Sequence, residues 1–258
     1  MRREIAVPIS DRRFTIYEKA GLYAGVKPGL KFMPDMKILA LDTSTEYCSV
    51  ALWRDGDADA RDVRAGQRHS ELLLPMVDEL LKRHGLAVKD LDGIAFGRGP
   101  GSFTGLRIGC GVVQGLAFGA GLGVVGVDTL AAMAESAGAG HVVCCLDARM
   151  GEIYHAAYAR TGSAWDPVHA PSLCAPAEAP ALPAGSWTGC GSGFSAHAVV
   201  MQQRYAGRLS AIMPDIYPHA RHIARLAARE FEAGKSVPAE QAVPVYIRDK
   251  VALKSSER

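Results

Sequence analysis

The chain has 258 residues, 48% of them hydrophobic, and carries 29 Lys and Arg against 27 Asp and Glu. No apolar run approaches the ~18 residues that a membrane-spanning helix needs, and the near-balanced charge excludes a large basic field for nucleic acid. The six cysteines include no C-x-x-C pair, which favours reduced thiols in a cytoplasmic protein over a disulfide framework. The length fits one large domain or two lobes.

The first 35 residues differ from the rest of the chain in composition and hydrophobic pattern. They carry an excess of positive charge, show no sustained hydrophobic period and are interrupted by Gly and Pro. At Met36 the sequence changes to short apolar runs. We therefore expect residues 1–35 to be an extension outside the core. A start codon assigned too far upstream and a flexible arm both explain such an extension, and the sequence leaves both open.

Residues 36–140 alternate between strand and helix patterns. The runs "KILALD" and "CSVALW" around "TSTEY" predict a β-hairpin, and "SELLLPMVDELLKRHG" predicts an amphipathic helix that ends at Gly85. Pro75 indicates that this helix is kinked near its start or begins there. A strand at "GIAFG", a long glycine-rich helix to about residue 121, a strand at "GVVGVD" and a helix at "TLAAMAESAG" follow.

The second half repeats this opening. "VVCCLDARMGEIYHAAYA" matches the first hairpin in type, since both have an apolar strand ending in Leu-Asp, a polar turn and a returning strand. The proline-rich "TGSAWDPVHAPSLCAPAEAPALPAGSW" predicts a loop, and a strand, a glycine turn and a helix come next. A last helix, "HARHIARLAAREFEAG", ends at Gly234. The pattern predicts an α/β protein of two duplicated lobes, residues 36–140 and 141–258.

The stretch "GRGPGSFTGLRIG", residues 97–109, resembles three known loops and matches none. A Walker A loop fails because Leu106 and Arg107 follow Gly105 where Lys and Ser or Thr are needed. The dinucleotide fingerprint has Ser102 in place of its third glycine, and the nucleophile elbow lacks both flanking glycines. The remaining interpretation is a strand, a Gly-Pro-Gly turn and a helix capped by Ser102 or Thr104, whose free N–H groups could hold an anion or be satisfied by the cap alone.

The helix that follows contains an unusual row of glycines. Gly111, Gly115 and Gly119 recur every four residues, and each interior glycine costs about 1 kcal/mol relative to alanine. Close packing must offset this cost, because small residues allow another backbone to approach. The approaching group is either the protein's own sheet or a helix from another chain, and the pattern leaves this choice open.

Two aspartates are the candidate chemical residues. Asp42 and Asp147 end equivalent strands that face the region between the lobes, where acids in a nucleotide-binding fold orient Mg²⁺ and water. An aspartate that only stabilises its own turn would stand at the same place. Metal sites find no support, since His69 has Leu73 where the second histidine of an H-x-x-x-H pair would lie. We expect no metal and no cofactor.

Four segments in this order resemble the TsaB family, which is required for biosynthesis of tRNA threonylcarbamoyladenosine: "MKILALDTSTEYCSVAL", "RHSELLLPMVDELL", "GRGPGSFTGLRIGCGVVQGLAFG" and "LDARMGEIYHAAY". The resemblance runs from Met36 to the closing "PVYIRDKVALK". It implies a two-lobed, actin-like ASKHA fold of the ribonuclease H-like type. It further implies a cytoplasmic complex with the catalytic relative TsaD and the ATPase TsaE, which transfers a threonylcarbamoyl group to the tRNA adenosine beside the anticodon.

The sequence departs from the catalytic members of this superfamily. Besides the missing histidine pair, the first phosphate loop, normally Asp-x-Gly-Thr, reads Asp42-Thr43-Ser44-Thr45, and Ser44 adds a Cβ where the backbone should approach phosphate. These departures count against a peptidase. They favour a non-catalytic member of the superfamily. The resemblance to the TsaB family implies a scaffold or activator subunit that binds TsaD, forms a homodimer without it, and meets tRNA only through the complex. The alternative is an ATP-dependent phosphotransferase or hydrolase of the ASKHA class, working through the two aspartates.

The resemblance also implies where a partner docks. The helices at about residues 70–84 and 103–121 would form the helical contact used by a homodimer or by TsaD. The predicted interface residues on them are Leu73, Met76, Leu80, Gly111, Val112, Gly115, Leu116 and Gly119.

Overall fold

A computed structural model describes residues 36–248 of the chain. The extension expected at residues 1–35 lies outside this range. Within it, two five-stranded sheets and six α-helices form two lobes, with short 3₁₀ turns at Val88–Asp90, Pro176–Glu178 and Ala239–Gln241.

The first sheet contains an antiparallel three-stranded meander followed by two parallel strands. Its strands stand in the order β3-β2-β1-β4-β5, with β1 antiparallel to β2 and parallel to β4. The predicted hairpin is therefore present, extended by a third strand that the sequence pattern did not reveal. The strands are β1 (Ile38–Asp42), β2 (Tyr47–Arg54), β3 (Asp57–Arg64), β4 (Gly93–Gly99) and β5 (Gly123–Asp128).

The second sheet repeats the topology of the first. Its order is β10-β9-β6-β7-β8, so that β6 takes the place of β1 and each later strand takes the place of its counterpart. The duplicated two-lobed fold predicted from the sequence is confirmed. The strands are β6 (His141–Arg149), β7 (Glu152–Thr161), β8 (Ala164–Cys174), β9 (Trp187–Cys190) and β10 (Leu209–Met213).

Strand β8 corrects one expectation. The proline-rich stretch after residue 161 was expected to be a loop, but its first part pairs with β7 along most of its length. Pro167 and Pro171 fit there because β8 is an edge strand, where a missing N–H on the outer side costs no ladder hydrogen bond. The prolines therefore indicated an edge, which composition alone does not distinguish from a loop.

Six helices accompany the sheets. The first begins at His69 and runs through Pro75, so the prediction that it begins at the proline is wrong. The second is capped at its start by Ser102, whose hydroxyl accepts from the Gly105 N–H at 3.3 Å, and at its end by left-handed Gly121. The helices are α1 (His69–Arg83), α2 (Phe103–Ala120), α3 (Thr129–Ala137), α4 (Gly193–Ala196), α5 (Ala198–Arg204) and α6 (Ala220–Glu232).

The last helix returns to the first lobe. Helices α1 and α2 cover one face of the first sheet, and α6 covers the other face through buried Ile223, Ala227 and Phe231. Residue 141 does separate the two sheets. However, the predicted second lobe, residues 141–258, is not one packed unit, because α6 lies on the other lobe. The sequence placed α6 by chain order, whereas packing assigns it to the first sheet.

The lobes meet along α3 and the chain after α6. Helix α3 contacts both sheets, and its buried Glu135 pairs with Arg225 of α6 at 3.2 Å and accepts from the Trp165 indole of β8 at 2.6 Å. Beyond α6, Val237 forms a bridge to Val124 at the edge of β5. Among the described residues, no helix is both long and apolar enough to cross a membrane.

Candidate functional site

The loop after β1 holds the first candidate residue, Asp42. One carboxylate oxygen, Oδ1, accepts hydrogen bonds from the Ser44 N–H at 3.0 Å and the Ser44 hydroxyl at 2.8 Å. The other, Oδ2, is buried without a hydrogen-bond partner in the described part of the chain. Burial raises the pKa of Asp42 to about 7, and the hydrogen bonds from Ser44 lower it only in part. The carboxyl group is therefore adapted to carry a proton near neutral pH.

Glycines press against this loop from β4 and the turn after it. A β-carbon at Gly97 would overlap Oδ2 of Asp42, and one at Gly101 would overlap the carbonyl oxygen of Ser44. The Ser102 N–H also donates to the Ser44 carbonyl oxygen, at 2.7 Å. Only residues without a side chain allow the two loops to lie so close.

The same approach continues into α2. A β-carbon at Gly105 would overlap the Thr43 carbonyl oxygen, and one at Gly109 would lie 2.6 Å from the Thr43 hydroxyl oxygen. That hydroxyl donates to the Gly105 carbonyl oxygen at 2.7 Å. We call Gly97, Gly101, Gly105 and Gly109 the inner glycine row. Its glycines allow the chain's own loop to pack directly against the end of β4 and the start of α2.

The second candidate, Asp147, supports its own turn. Its Oδ1 accepts from the Arg149 N–H at 2.9 Å, and its Oδ2 pairs with the Arg149 guanidinium at 3.0 Å. Its own N–H donates to the Ser192 hydroxyl at 3.1 Å. The Nε2 atom of His197 also lies 3.9 Å from Oδ1. The two hydrogen bonds to Arg149 are those of an aspartate that stabilises its own turn.

Two cavities open between the elements. The larger has a volume of about 710 Å³ and runs between β5, β8, α6 and the chain around residues 241–245, with Arg98 and Trp165 on its walls. The smaller, about 40 Å³, lies between the turn after β4, Tyr154 and residues 245–248. Neither is lined by Asp42 or Asp147, so the structure does not bring the two aspartates together around either cavity.

The histidine considered for a metal has a structural role. The Nε2 atom of His69 lies 2.9 Å from the Thr45 carbonyl oxygen and 3.2 Å from that of Tyr47, which ties α1 to the loop after β1. In residues 36–248, no group of three or more His, Cys, Asp or Glu side chains is arranged to hold a metal ion.

The outward face of α2 is open, whereas the start of the helix is packed against the loop after β1. Gly111, Gly115 and Gly119 are exposed, and a β-carbon at any of them would meet no described atom within 4 Å. We call these three the outer glycine row. Phe118 beside it is 78% exposed. The alternative that the protein's own sheet packs against this row is wrong, because the described chain leaves the face open.

The predicted interface residues divide into two groups. Val112 and Leu116 are half-buried and pack against the core beside the outer glycine row. Together with the three exposed glycines, they place five of the eight predicted residues on or next to an open surface. Leu73, Met76 and Leu80 of α1 are buried in the first-lobe core, and a partner could not reach them without opening the lobe. Their helical spacing marked the core-facing side of α1. The exposed large apolar residues of α1 and α2, namely Leu74, Phe103 and Phe118, were not among the predicted interface residues.

Known proteins match the chain over most of its length. A family model described as "TsaD: tRNA N6-adenosine threonylcarbamoyltransferase" matches residues 63–255. The TsaB protein of Escherichia coli K12, named for tRNA threonylcarbamoyladenosine biosynthesis, is 40% identical over 227 residues, which cover 85% of this chain and 97% of that protein. The chain belongs to the TsaB family. Its counterpart in Haemophilus influenzae is 36% identical over 86% of this chain and 98% of that protein.

Solved structures agree with the family assignment. Two chains from Pseudomonas aeruginosa, one described as YeaZ and one as an uncharacterized protein similar to the peptidase YeaZ, are each 40% identical with a TM-score of 0.76. They cover 82–83% of this chain, which in turn covers 99–100% of theirs. Membership of the TsaB family gives the chain a role in tRNA threonylcarbamoyladenosine biosynthesis, and the two-lobed ASKHA-type fold expected from the resemblance is confirmed.

Proposed function

We propose that this chain is a non-catalytic scaffold or activator subunit that binds a TsaD homologue through the outward face of α2. In the resulting cytoplasmic complex, which includes a TsaE homologue, TsaD transfers the threonylcarbamoyl group to the adenosine next to the tRNA anticodon. The chain itself contributes no catalytic residue and meets tRNA only through the complex.

The outer glycine row carries this proposal. Each of its glycines weakens α2 by about 1 kcal/mol relative to alanine, and nothing else among residues 36–248 uses the space that their missing side chains leave. A helix from another chain that packs on this face could come close to the α2 backbone and offset the cost. Exposed Phe118, next to Gly119 in the sequence of α2, would supply apolar surface to the same contact.

The same face supports a homodimer when TsaD is absent. Two copies related by a twofold axis would place one outer glycine row against the other, since a twofold interface uses the same surface on both subunits. A homodimer and a complex with TsaD would then compete for α2, so raising the concentration of TsaD should convert dimers into heterodimers.

The packing around Asp42 supports a non-catalytic role. Thr43 and Ser44 are in contact with the inner glycine row, so the chain itself packs against the loop that binds phosphate in nucleotide-binding members of the fold. The alternative, ATP chemistry at this loop, has one observation in its favour, the unpartnered Oδ2 of Asp42. ATP binding by the isolated chain at micromolar concentration would support that alternative and weigh against the scaffold.

Reconstituted transfer tests the proposal. Threonylcarbamoyl incorporation into tRNA is measured with TsaD, TsaE, ATP and the adenylate donor, with and without this chain. We expect turnover to require the chain, while the chain alone is inactive. Unchanged turnover on omission would end the subunit assignment.

A matched pair of variants tests the surface. Gly115→Leu places a large side chain in the outer glycine row, whereas Gly140→Leu makes the same change at another exposed glycine with free space around it. We expect Gly115→Leu to weaken association at least tenfold, about 1.4 kcal/mol, with an unchanged circular dichroism spectrum. Gly140→Leu should bind like the wild type. Equal affinities of the two variants would show that the partner does not bind at the outer glycine row.

A further inference from the structure

The segment after α6 crosses from one lobe to the other, and we call its residues 242–248 the strap. It begins beside α2, where the Ala242 carbonyl oxygen accepts from the Gln114 side-chain amide at 2.8 Å and the Cys110 thiol at 3.2 Å. Further along, the Val245 N–H donates to the Arg98 carbonyl oxygen at 2.7 Å. The first half of the strap is thus fixed to the first lobe.

The middle of the strap adjoins the outward face of α2. The Tyr246 hydroxyl accepts from Nε of Arg107 at 3.0 Å, and the Arg107 guanidinium lies 3.8 Å above the centre of the Phe103 ring. The rings of Phe103 and Tyr246 are 5.2 Å apart. Phe103 and Arg107 precede Gly111 at the same four-residue spacing, so these two residues continue the line of the outer glycine row toward the start of α2.

The end of the strap is fixed to the second lobe. The Arg248 side chain is only 13% exposed and pairs with the Glu152 carboxylate at 2.8 Å. It also donates to the Ala148 carbonyl oxygen at 2.9 Å and lies 3.0 Å from the Met150 sulfur. These partners belong to the tight turn between β6 and β7, the second-lobe counterpart of the Asp42 loop. A half-buried charged pair with a further carbonyl acceptor holds a geometry far better than an exposed ion pair.

We propose that the strap transmits partner docking on α2 to the β6–β7 turn of the second lobe, with Arg248 as the positioning residue at its far end. A partner helix that packs along the outer glycine row reaches Arg107 and Tyr246, which restrains the strap in one position. Arg248 then holds the turn at residues 147–152 more tightly. This inference rests on the proposed use of α2 as the docking face and adds a mechanical consequence to it.

Thermodynamic linkage makes this coupling reciprocal: if docking stabilises the ordered turn by some factor, the ordered turn strengthens docking by the same factor. Removing the Arg248 side chain breaks the link at its far end, while the α2 face, Arg107 and Tyr246 stay unchanged. The Arg248→Ala variant should therefore still bind the partner but lose the response of the turn. A residue that only supported local folding would alter the turn equally with and without the partner.

Hydrogen–deuterium exchange of the full chain, alone and saturated with the TsaD homologue, measures this response. For each protein the quantity compared is the ratio of free to bound exchange rates in peptides covering residues 147–152. We expect a ratio of at least three for the wild type and near one for Arg248→Ala, with the two affinities within twofold. Arg208→Ala, an exposed second-lobe arginine, is the control and should behave like the wild type. Glu152→Gln, which removes only the ion pair, should give an intermediate ratio.

Two results would overturn the coupling. The turn could slow equally in Arg248→Ala, in which case the strap does not carry the signal. Alternatively, the wild type could bind the partner with no change at the turn, in which case docking is local. Failure of the wild type to bind the partner at all would instead refute the docking face itself, and the coupling with it.

Discussion

The two glycine rows are made of the same residue at the same four-residue spacing, yet their surroundings are opposite. In the inner row, β-carbons would overlap the chain's own loop at Asp42, Thr43 and Ser44. In the outer row, β-carbons would meet open space. Within α2, Gly105 and Gly109 of the inner row lie on the side away from the outer row, because Gly111 follows Gly109 by two residues, or about 200° around a helix. A four-residue glycine pattern thus does not by itself distinguish a close contact within the chain from an open surface.

The inner row gives the largest expected effect. Gly105→Ala should lower the free energy of unfolding by about 3 kcal/mol, because the new methyl group meets the Thr43 backbone oxygen, which a side-chain rotation cannot move aside. Urea denaturation measures the change. Gly115→Ala, the same substitution in the same helix, is the control and should not destabilise the protein. Equal losses of stability in Gly105→Ala and Gly115→Ala would show that the two rows do not differ in packing.

Asp42 should make stability depend on pH. Its pKa is about 7 in the folded protein and 3.8 as an ordinary carboxyl, so between these values the folded state holds a proton that the unfolded state has lost. The contribution of Asp42 to the free energy of unfolding is therefore greatest in acid and decreases as pH rises toward 7. Asp42→Asn stays neutral throughout. Its stability relative to the wild type should rise by roughly 3 kcal/mol between pH 5 and pH 8, because the wild type loses about 1.4 kcal/mol for each pH unit between 5 and 7.

Urea denaturation of both proteins at the two pH values checks this result. Groups other than Asp42 titrate alike in both proteins, so the difference between them isolates Asp42. A constant difference would show that the carboxyl is ionised in the folded state. Such a result would favour the nucleotide alternative, in which a charged Asp42 orients Mg²⁺ and water.

The outer row should show a smaller effect of the opposite sign. Gly111→Ala and Gly119→Ala should each stabilise the isolated monomer by up to about 1 kcal/mol, because the methyl group fits without a clash and alanine favours the helix. Both should weaken association, since the added side chains separate the two backbones. Thermal unfolding of dilute protein and titration with the TsaD homologue measure the two effects. Stabilisation without any loss of affinity would mean that these glycines serve no partner.

Much of the fold could be predicted from the sequence. Apolar runs ending in Leu-Asp marked β1 and β6, and helical spacing marked α1 and α6, because alternation and the 3.6-residue period are local properties of the chain. Strand β8 was missed because a proline-rich edge strand and a loop have the same composition. The position of α6 was missed because its apolar stripe fits either lobe, and only the three-dimensional packing chooses between them.

The candidate site was predicted less completely. The sequence alone determined that Ser102 is suited to cap α2 and that the loop after Asp42 departs from a phosphate loop, since both depend on residue type and spacing. The expectation that glycines of α2 have close neighbours is met within the described chain at Gly105 and Gly109 and stays a prediction for the outer row. The tertiary structure decided which glycines face the protein's own loop and which face outward, and it buried Leu73, Met76 and Leu80. It also joined Tyr246 to Arg107 and Arg248 to Glu152. Contacts between residues about a hundred positions apart depend on how the lobes pack, and no local pattern encodes them.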